Sequence, residues 1–364
     1  MKVRSVSTVT FAQPMIPIHQ GNFPGMLDLV LTIVEAEDGH RGYSLARTHG
    51  GQPGSTIAAP IEVSLAPRVI GTAAREPEEA WLRMLALEPA GYVSVFSISA
   101  VDVALWDLAA RLDGQRVADR IGLKRAAVQA YASSTHYAAI DDYVHDLRHA
   151  LQRGFRAYKV HPFYDPDRDI ALARALRDAA GPDVLLMLDA AKRYDRAASL
   201  RVGRVLQQLD FHWFEEPLAQ HDWEGYRLLR AQLEIDVVGG ETLPGLYPAI
   251  GNGLAAGAWD AVLCDVYWKG GITGCLRTIE LCHGRGVPVV SHHGASALMN
   301  LANLHVLCST PEPSMVEVLF PEAPYEYGMD RYPRIGPDGM LHLPPGPGLG
   351  AEPDWAYIER SRRA

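Results

Sequence analysis

Seven polar positions recur at near-constant spacing through the second half of this 364-residue chain. Lys159 with His161, then Asp189, Glu215, Glu241, Asp265, His292 and Glu317, each fall at the end of a short β-rich run: AYKVHP, VLLMLDA, FHWFEEP, DVVGGET, AVLCDVY, VPVVSHH and SMVEVLF. Counted from His161, the intervals are 28, 26, 26, 24, 27 and 25 residues. Taken singly, any of these residues could be a cap or a surface charge. In register on successive runs, they point to one site. Asp189, Glu215 and Glu241 would crowd three like charges together, which is unfavourable unless a cation compensates them. All-oxygen donors suit a hard divalent ion, and Mg²⁺ keeps open positions that a carboxylate substrate could fill. Imidazoles titrate near neutrality, so His161 and His292 could move protons beside it.

An interval of about 25 residues is the length of one strand–helix unit. With VQAYAS as a first strand, eight β-rich runs alternate with helix-like segments such as DIALARALRDAA and GCLRTIELCHGRG. That pattern predicts an α/β fold with a parallel (β/α)8 TIM barrel, whose strand-end residues all project into one mouth. Residues 1–124 read as an α+β capping domain. VRSVSTVTF and LDLVLTIVEAEDG are strand-like, and the helical pattern begins near Pro77. The connection AQPMIPIHQGNFPG, with its prolines and glycines, reads as a lid or a surface excursion. Residues 125–320 form the barrel. Residues 321–364, rich in Pro and Gly, have no barrel partner left to pair with and are expected to pack back on the capping domain.

Hydrophobic residues make up 48% and charged residues 21% of the chain, which excludes disorder for most of it. A formal charge of -9, without a basic block, argues against nucleic acid as a partner. Cys264, Cys275, Cys282 and Cys308 lie in apolar runs without a CxxC pair and read as reduced core residues. No stretch is apolar for long enough to span a membrane, and MKVRSVSTVTF lacks the apolar core of a signal peptide. The expected compartment is the cytoplasm.

The ordered set AYKVHP, LMLDA, WFEEP, GGETL, LCDVYWKGGITG, VPVVSHHG and MVEVLF, preceded by SAVDVALWDLAARLDG, resembles the enolase superfamily, in its mandelate racemase-like subgroup. The likeness covers nearly the whole chain. In that superfamily a Lys or His base works with one or two Mg²⁺ ions that stabilise an ene-diolate. The resemblance implies that Asp189, Glu215 and Glu241 are ligands of one Mg²⁺. It implies that Asp265 orients His292 as a base, that Glu317 hydrogen-bonds a substrate carboxylate oxygen, and that Lys159 is a cation beside that carboxylate. It also implies a homo-oligomer, a dimer or an octamer, acting on a small-molecule carboxylate.

Two positions depart from the family pattern. His161 stands where a second, basic lysine is usual, and is expected to work as an acid or base, the alternative being a neutral hydrogen-bond donor that leaves His292 as the only base. Ala191 stands where relatives often place an Asn that touches substrate, leaving Lys192 and Tyr194 as possible replacements. Lys269, directly before Gly270, reads as structural, and His293 is expected to point away from His292 because neighbours on a strand face opposite ways. His19, Arg47 and His49, with Lys192, are the expected substrate contacts. In the resembling subgroup dehydration of aldonic or aldaric acids is the commoner activity, and the polar lid residues His19, Gln20, Asn22, Arg47 and His49 favour a polyhydroxylated substrate, so the resemblance implies dehydration of an aldonic or aldaric acid to a 2-keto-3-deoxy acid. Racemisation or epimerisation is the alternative, and a non-catalytic metal- and ligand-binding barrel a remote one.

Overall fold

The computed structural model describes residues 1–14, 26–49, 51–88, 91, 93–294, 296–311 and 314–362. His19 lies outside these residues, as do Gln20, Asn22 and Phe23 of the same connection.

The β-branched runs near the N-terminus form an antiparallel sheet of β1 (Val3–Pro14), β2 (Met26–Ala36) and β3 (Arg41–Arg47), in that order. Its inner face, including Leu29, Leu31 and Leu45, is fully buried. Each such side chain contributes roughly 1.5–3 kcal/mol by leaving water. The covering element is the helix Val95–Leu112, which starts where Ser94 accepts a hydrogen bond from the Ser97 N–H. This helix is buried on every face from Ser97 to Ala110, because the sheet lies on one side and the barrel on the other. Close approach needs Gly42, since a Cβ there would stand 2.2 Å from the Ala104 carbonyl oxygen.

Two buried carboxylates pin this helix. Asp107 accepts from the N–H groups of Tyr43 and Leu349 and from Arg111 Nε. Asp102 accepts from the N–H and hydroxyl of Thr273, at the start of the barrel helix Gly271–His283, which fixes the cap against the barrel.

Eight parallel strands then follow: β4 (Ala127–Ser134), β5 (Ala157–Val160), β6 (Leu185–Asp189), β7 (Trp213–Glu215), β8 (Asp236–Gly239), β9 (Ala261–Cys264), β10 (Val289–Ser291) and β11 (Val316–Phe320). The first seven are each followed by a helix. The sheet runs in the order β10-β9-β8-β7-β6-β5-β4-β11, curling so that the last strand sits beside the first. Side chains bridge the seam between β10 and β11: Ser314 Oγ donates to the Val289 carbonyl, and the His293 N–H donates to Glu317 Oε2. The fold is thus the expected barrel type with an α+β cap.

The tail corrects one expectation. Its strand β12 (Met340–His342) does find a barrel partner, pairing antiparallel with Ala127–Gln129 of β4. The rest of it meets the cap: Ala12 N–H donates to the Ser361 carbonyl, and Tyr357 packs edge-on against Phe11. All four cysteines are buried and free. Among the described residues no helix is long and apolar enough to cross a membrane.

Candidate active site

Because the barrel strands are parallel and in register, their last residues share one end. Asp189 and Glu215 are the final residues of β6 and β7 and are direct neighbours across the ladder. His161, Glu241, Asp265 and His292 sit one or two residues beyond β5, β8, β9 and β10, and Glu317 lies within β11. Asp189, His161, Glu241, His292 and Glu317 line a cavity of about 240 Å³, while Lys159, Glu215 and Asp265 are buried.

Lys159 Nζ lies 2.7 Å from Glu215 Oε1, 3.1 Å from Glu317 Oε1 and 3.9 Å from Asp189 Oδ2. Burial opposes its charge, but the carboxylates around it outweigh that and hold its pKa well above the ordinary lysine range. The second oxygen of Glu215 accepts from the indole N–H of Trp213 at 2.9 Å. Burial pushes the Glu215 pKa upward, and the nearby Asp189 and Glu317 add to it against the pull of Lys159. Burial also acts to raise Asp189 and Glu317. For Asp189 the His161 hydrogen bond and Lys159 prevail, for Glu317 Lys159 and His292, and both stay below the usual carboxylate range.

The two imidazoles are each held by Nδ1. That of His161 donates to the Ser134 carbonyl at 2.8 Å, turning Nε2 toward Asp189 Oδ2 at 3.2 Å. That of His292 meets Asp265 Oδ2 at 2.9 Å, turning Nε2 toward Glu241 Oε1 at 3.3 Å. Asp265 is itself fixed, since its Oδ1 accepts from the N–H groups of Tyr267 and Trp268. Burial opposes protonation of His292, yet Glu241, the Asp265 hydrogen bond and Glu317 lift its pKa to about 10.

Among the described residues no group of three or more His, Cys, Asp or Glu side chains is arranged to hold a metal ion as it stands. The reason is visible: the carboxylate oxygens are turned onto Lys159, His161, His292 and Trp213. Charge and donor type nevertheless fit a divalent cation. Asp189, Glu215, Glu216, Glu241, Asp265 and Glu317 outnumber the permanent cations beside them, Lys159, Lys192, Arg47 and Arg193, and burial together with the neighbouring Asp189 and Glu317 pushes Glu215 up.

A capped parallel barrel with carboxylates, a buried lysine and anchored imidazoles at one mouth defines a carboxylate-handling barrel enzyme. The chain belongs to the mandelate racemase/muconate lactonizing enzyme family of the enolase superfamily: residues 6–122 match that family's N-terminal domain and residues 142–357 match the enolase C-terminal domain-like family. It is 28% identical to D-galactarolactone cycloisomerase of Agrobacterium fabrum, over 89% of this chain and 88% of that protein. It is 27% identical to arabinonate dehydratase of Saccharolobus solfataricus, over 79% of this chain and 78% of that one. The crystal structure of D-glucarate dehydratase from Agrobacterium tumefaciens complexed with magnesium superposes with a TM-score of 0.89 at 29% identity, covering 100% of both chains.

Of the expected substrate contacts, Arg47, His49 and Lys192 line the cavity, with Lys192 Nζ bonded to Glu216 Oε2 at 2.5 Å. Tyr194 is drawn away, donating to Asp169 Oδ2. Lys269 is buried and donates to the carbonyls of Gly240 and Glu241, so it fixes the loop that carries Glu241. His293 is buried in the loop beyond β10, which ends at Ser291, with its ring facing Tyr325, and it borders the mouth together with His292. Sequence reasoning missed His136, Tyr164, Arg193 and Trp268, which also line it. Arg193 and Tyr164 each lie within four residues of a strand-end site residue, which is the signal that could have found them.

Proposed function

We propose that this protein removes the proton alpha to a carboxylate and expels a β-hydroxyl, dehydrating an aldonic or aldaric acid to a 2-keto-3-deoxy acid. The observation that carries this reading is the pair of imidazoles, His161 and His292. Each is anchored through Nδ1, each presents Nε2 to the same cavity, and they reach it from strands on different sides of the curled sheet. The dehydratases among its relatives support it.

Asp189, Glu215 and Glu241 would hold Mg²⁺, which supplies positive charge to stabilise the developing enediolate. Lys159 and Glu317, 3.1 Å apart, bind the substrate carboxylate at the deep end of the site. With Glu241 turned to the cation, the carboxylate that most favours a protonated His292 is withdrawn, and His292 Nε2 would then take the α-proton, Asp265 holding the neutral ring in the tautomer that leaves Nε2 as the acceptor. His161, entering the step as the imidazolium with Nδ1–H on the Ser134 carbonyl, gives its Nε2 proton to the β-hydroxyl as the carbon–oxygen bond breaks, and is left neutral. Water leaves, and the enol product tautomerises to the keto acid.

The test is proton NMR in D₂O with Mg²⁺ and a panel of aldonic, aldaric and simple 2-hydroxy acids. New methylene signals are the expected result. Loss of the C2 proton signal with the skeleton retained would make the protein a racemase or epimerase, and ring closure or opening without loss of water would make it a cycloisomerase. Binding without any exchange would leave a non-catalytic barrel.

A further inference from the structure

Arg193 is a guanidinium at the mouth whose charge the protein leaves unneutralised. Among the described residues the guanidinium has no hydrogen-bond or ion-pair partner, and it lies over the Tyr164 ring, 5.6 Å from the ring centroid. The other cations of the site stand elsewhere: Lys159 lies at the deep end with Glu215 and Glu317, Lys192 is held by Glu216, and Arg47 is buried.

The loop that presents Arg193 is held in an unusual shape. Ala191 and Lys192 both have positive φ, 45° and 66°, and so does Tyr164 at 62°. Side-chain-bearing residues in that region carry strain of roughly 1–3 kcal/mol each and persist where surrounding bonds over-determine them. Here those bonds run from the Ala191 N–H to Asp189 Oδ1 at 2.8 Å, and from the Lys192 N–H to the Glu216 carbonyl at 2.7 Å.

We propose that Arg193 binds a second carboxylate, at the far end of the substrate, so that the acid sugar taken by this site is a diacid, an aldarate and not an aldonate. The inference rests on the acid-sugar reading above. With one carboxylate down at Lys159 and Glu317, the other end of a linear sugar acid points toward the rim, where Arg193 stands exposed. A planar guanidinium offers a carboxylate two parallel hydrogen bonds, and offers a terminal hydroxymethyl no comparable match. His136, whose Nε2 lies 3.4 Å from the Tyr164 hydroxyl, backs the ring on which Arg193 rests.

The experiment uses matched pairs that differ only at that end, glucarate with gluconate and galactarate with galactonate. Binding is measured by calorimetry on the full chain with Mg²⁺, carrying His292→Asn so that nothing turns over. At least one diacid is expected to bind about tenfold tighter than its monoacid partner, a difference that Arg193→Gln reduces to within about twofold and Arg193→Lys reduces only in part. A diacid preference untouched by Arg193→Gln, an equal loss for both members, or binding with no preference would overturn the assignment while leaving the dehydratase reading standing. Failure of every sugar acid to bind would overturn both.

Discussion

Asp265 Oδ2 stands 2.9 Å from Nδ1 of His292, and the same carboxylate is locked by two backbone N–H groups through its other oxygen. The ring therefore has one orientation, with Nε2 in the mouth, and when neutral it has one tautomer. Asp265→Asn keeps the shape but presents an amide that can donate to Nδ1 and so favours the wrong tautomer. Turnover is expected to fall about 10³–10⁴-fold with substrate binding retained, measured by steady-state rates alongside calorimetry. A loss of less than tenfold would mean that His292 is not the base.

His161 is anchored as firmly, but by a neutral carbonyl, which holds the ring in place without a neighbouring charge on Nδ1. His161→Asn should cut dehydration by about 10²–10⁴-fold. If His292 alone takes the α-proton, exchange of that proton with D₂O survives in the variant. NMR separates the two steps, and loss of exchange together with dehydration would assign the proton abstraction to His161 instead.

Charge surplus at the strand ends predicts cation binding independently of turnover. Calorimetric titration with Mg²⁺ should give a saturable isotherm, with affinity lost or greatly weakened in Asp189→Ala, Glu215→Ala and Glu241→Ala. Trp213→Phe removes only the indole N–H that holds the second oxygen of Glu215. It should weaken Mg²⁺ binding by about 10–100-fold, the usual cost of losing a group that orients a ligand. Unchanged affinity in all three alanine variants would refute the assigned ligand set.

How far these residues could be read without coordinates follows from what positions them. Asp189, Glu215, Glu241, Asp265 and His292 were legible because a parallel strand followed by a helix consumes a near-constant length of chain, so periodic spacing maps directly onto one rim. Arg193 and Tyr164 were not, because their direction is set by positive-φ backbone at Tyr164, Ala191 and Lys192, and no residue type there signals it as a glycine would. His293 is packed in a loop, but strand alternation is not what turns it, because the strand ends at Ser291. Pairing of β12 with β4 was invisible for a different reason: a three-residue strand carries too little pattern to stand out from a loop.

Away from the mouth, His305 makes the folded state sensitive to acid. Its ring is buried, Nδ1 accepts from the Ala118 N–H at 3.0 Å, and Nε2 faces the Leu349 carbonyl at 3.4 Å. Burial is the main cause that lowers its pKa to about 4. Since the unfolded chain protonates near 6.5 and the folded one does not until about 4, the unfolded state binds more protons in between, and stability falls as pH drops through that window. The loss from this one group is about 3 kcal/mol. His136 and His293, lowered to about 4 and about 3 mainly by burial, add to the acid sensitivity of the whole protein, so the contribution of His305 must be isolated by difference. His305→Asn keeps an acceptor for the Ala118 N–H and does not titrate. Denaturant unfolding at pH 7 and pH 4.5 should therefore show a smaller acid-induced loss in the variant than in the wild type. Equal losses would show that His305 does not contribute to it.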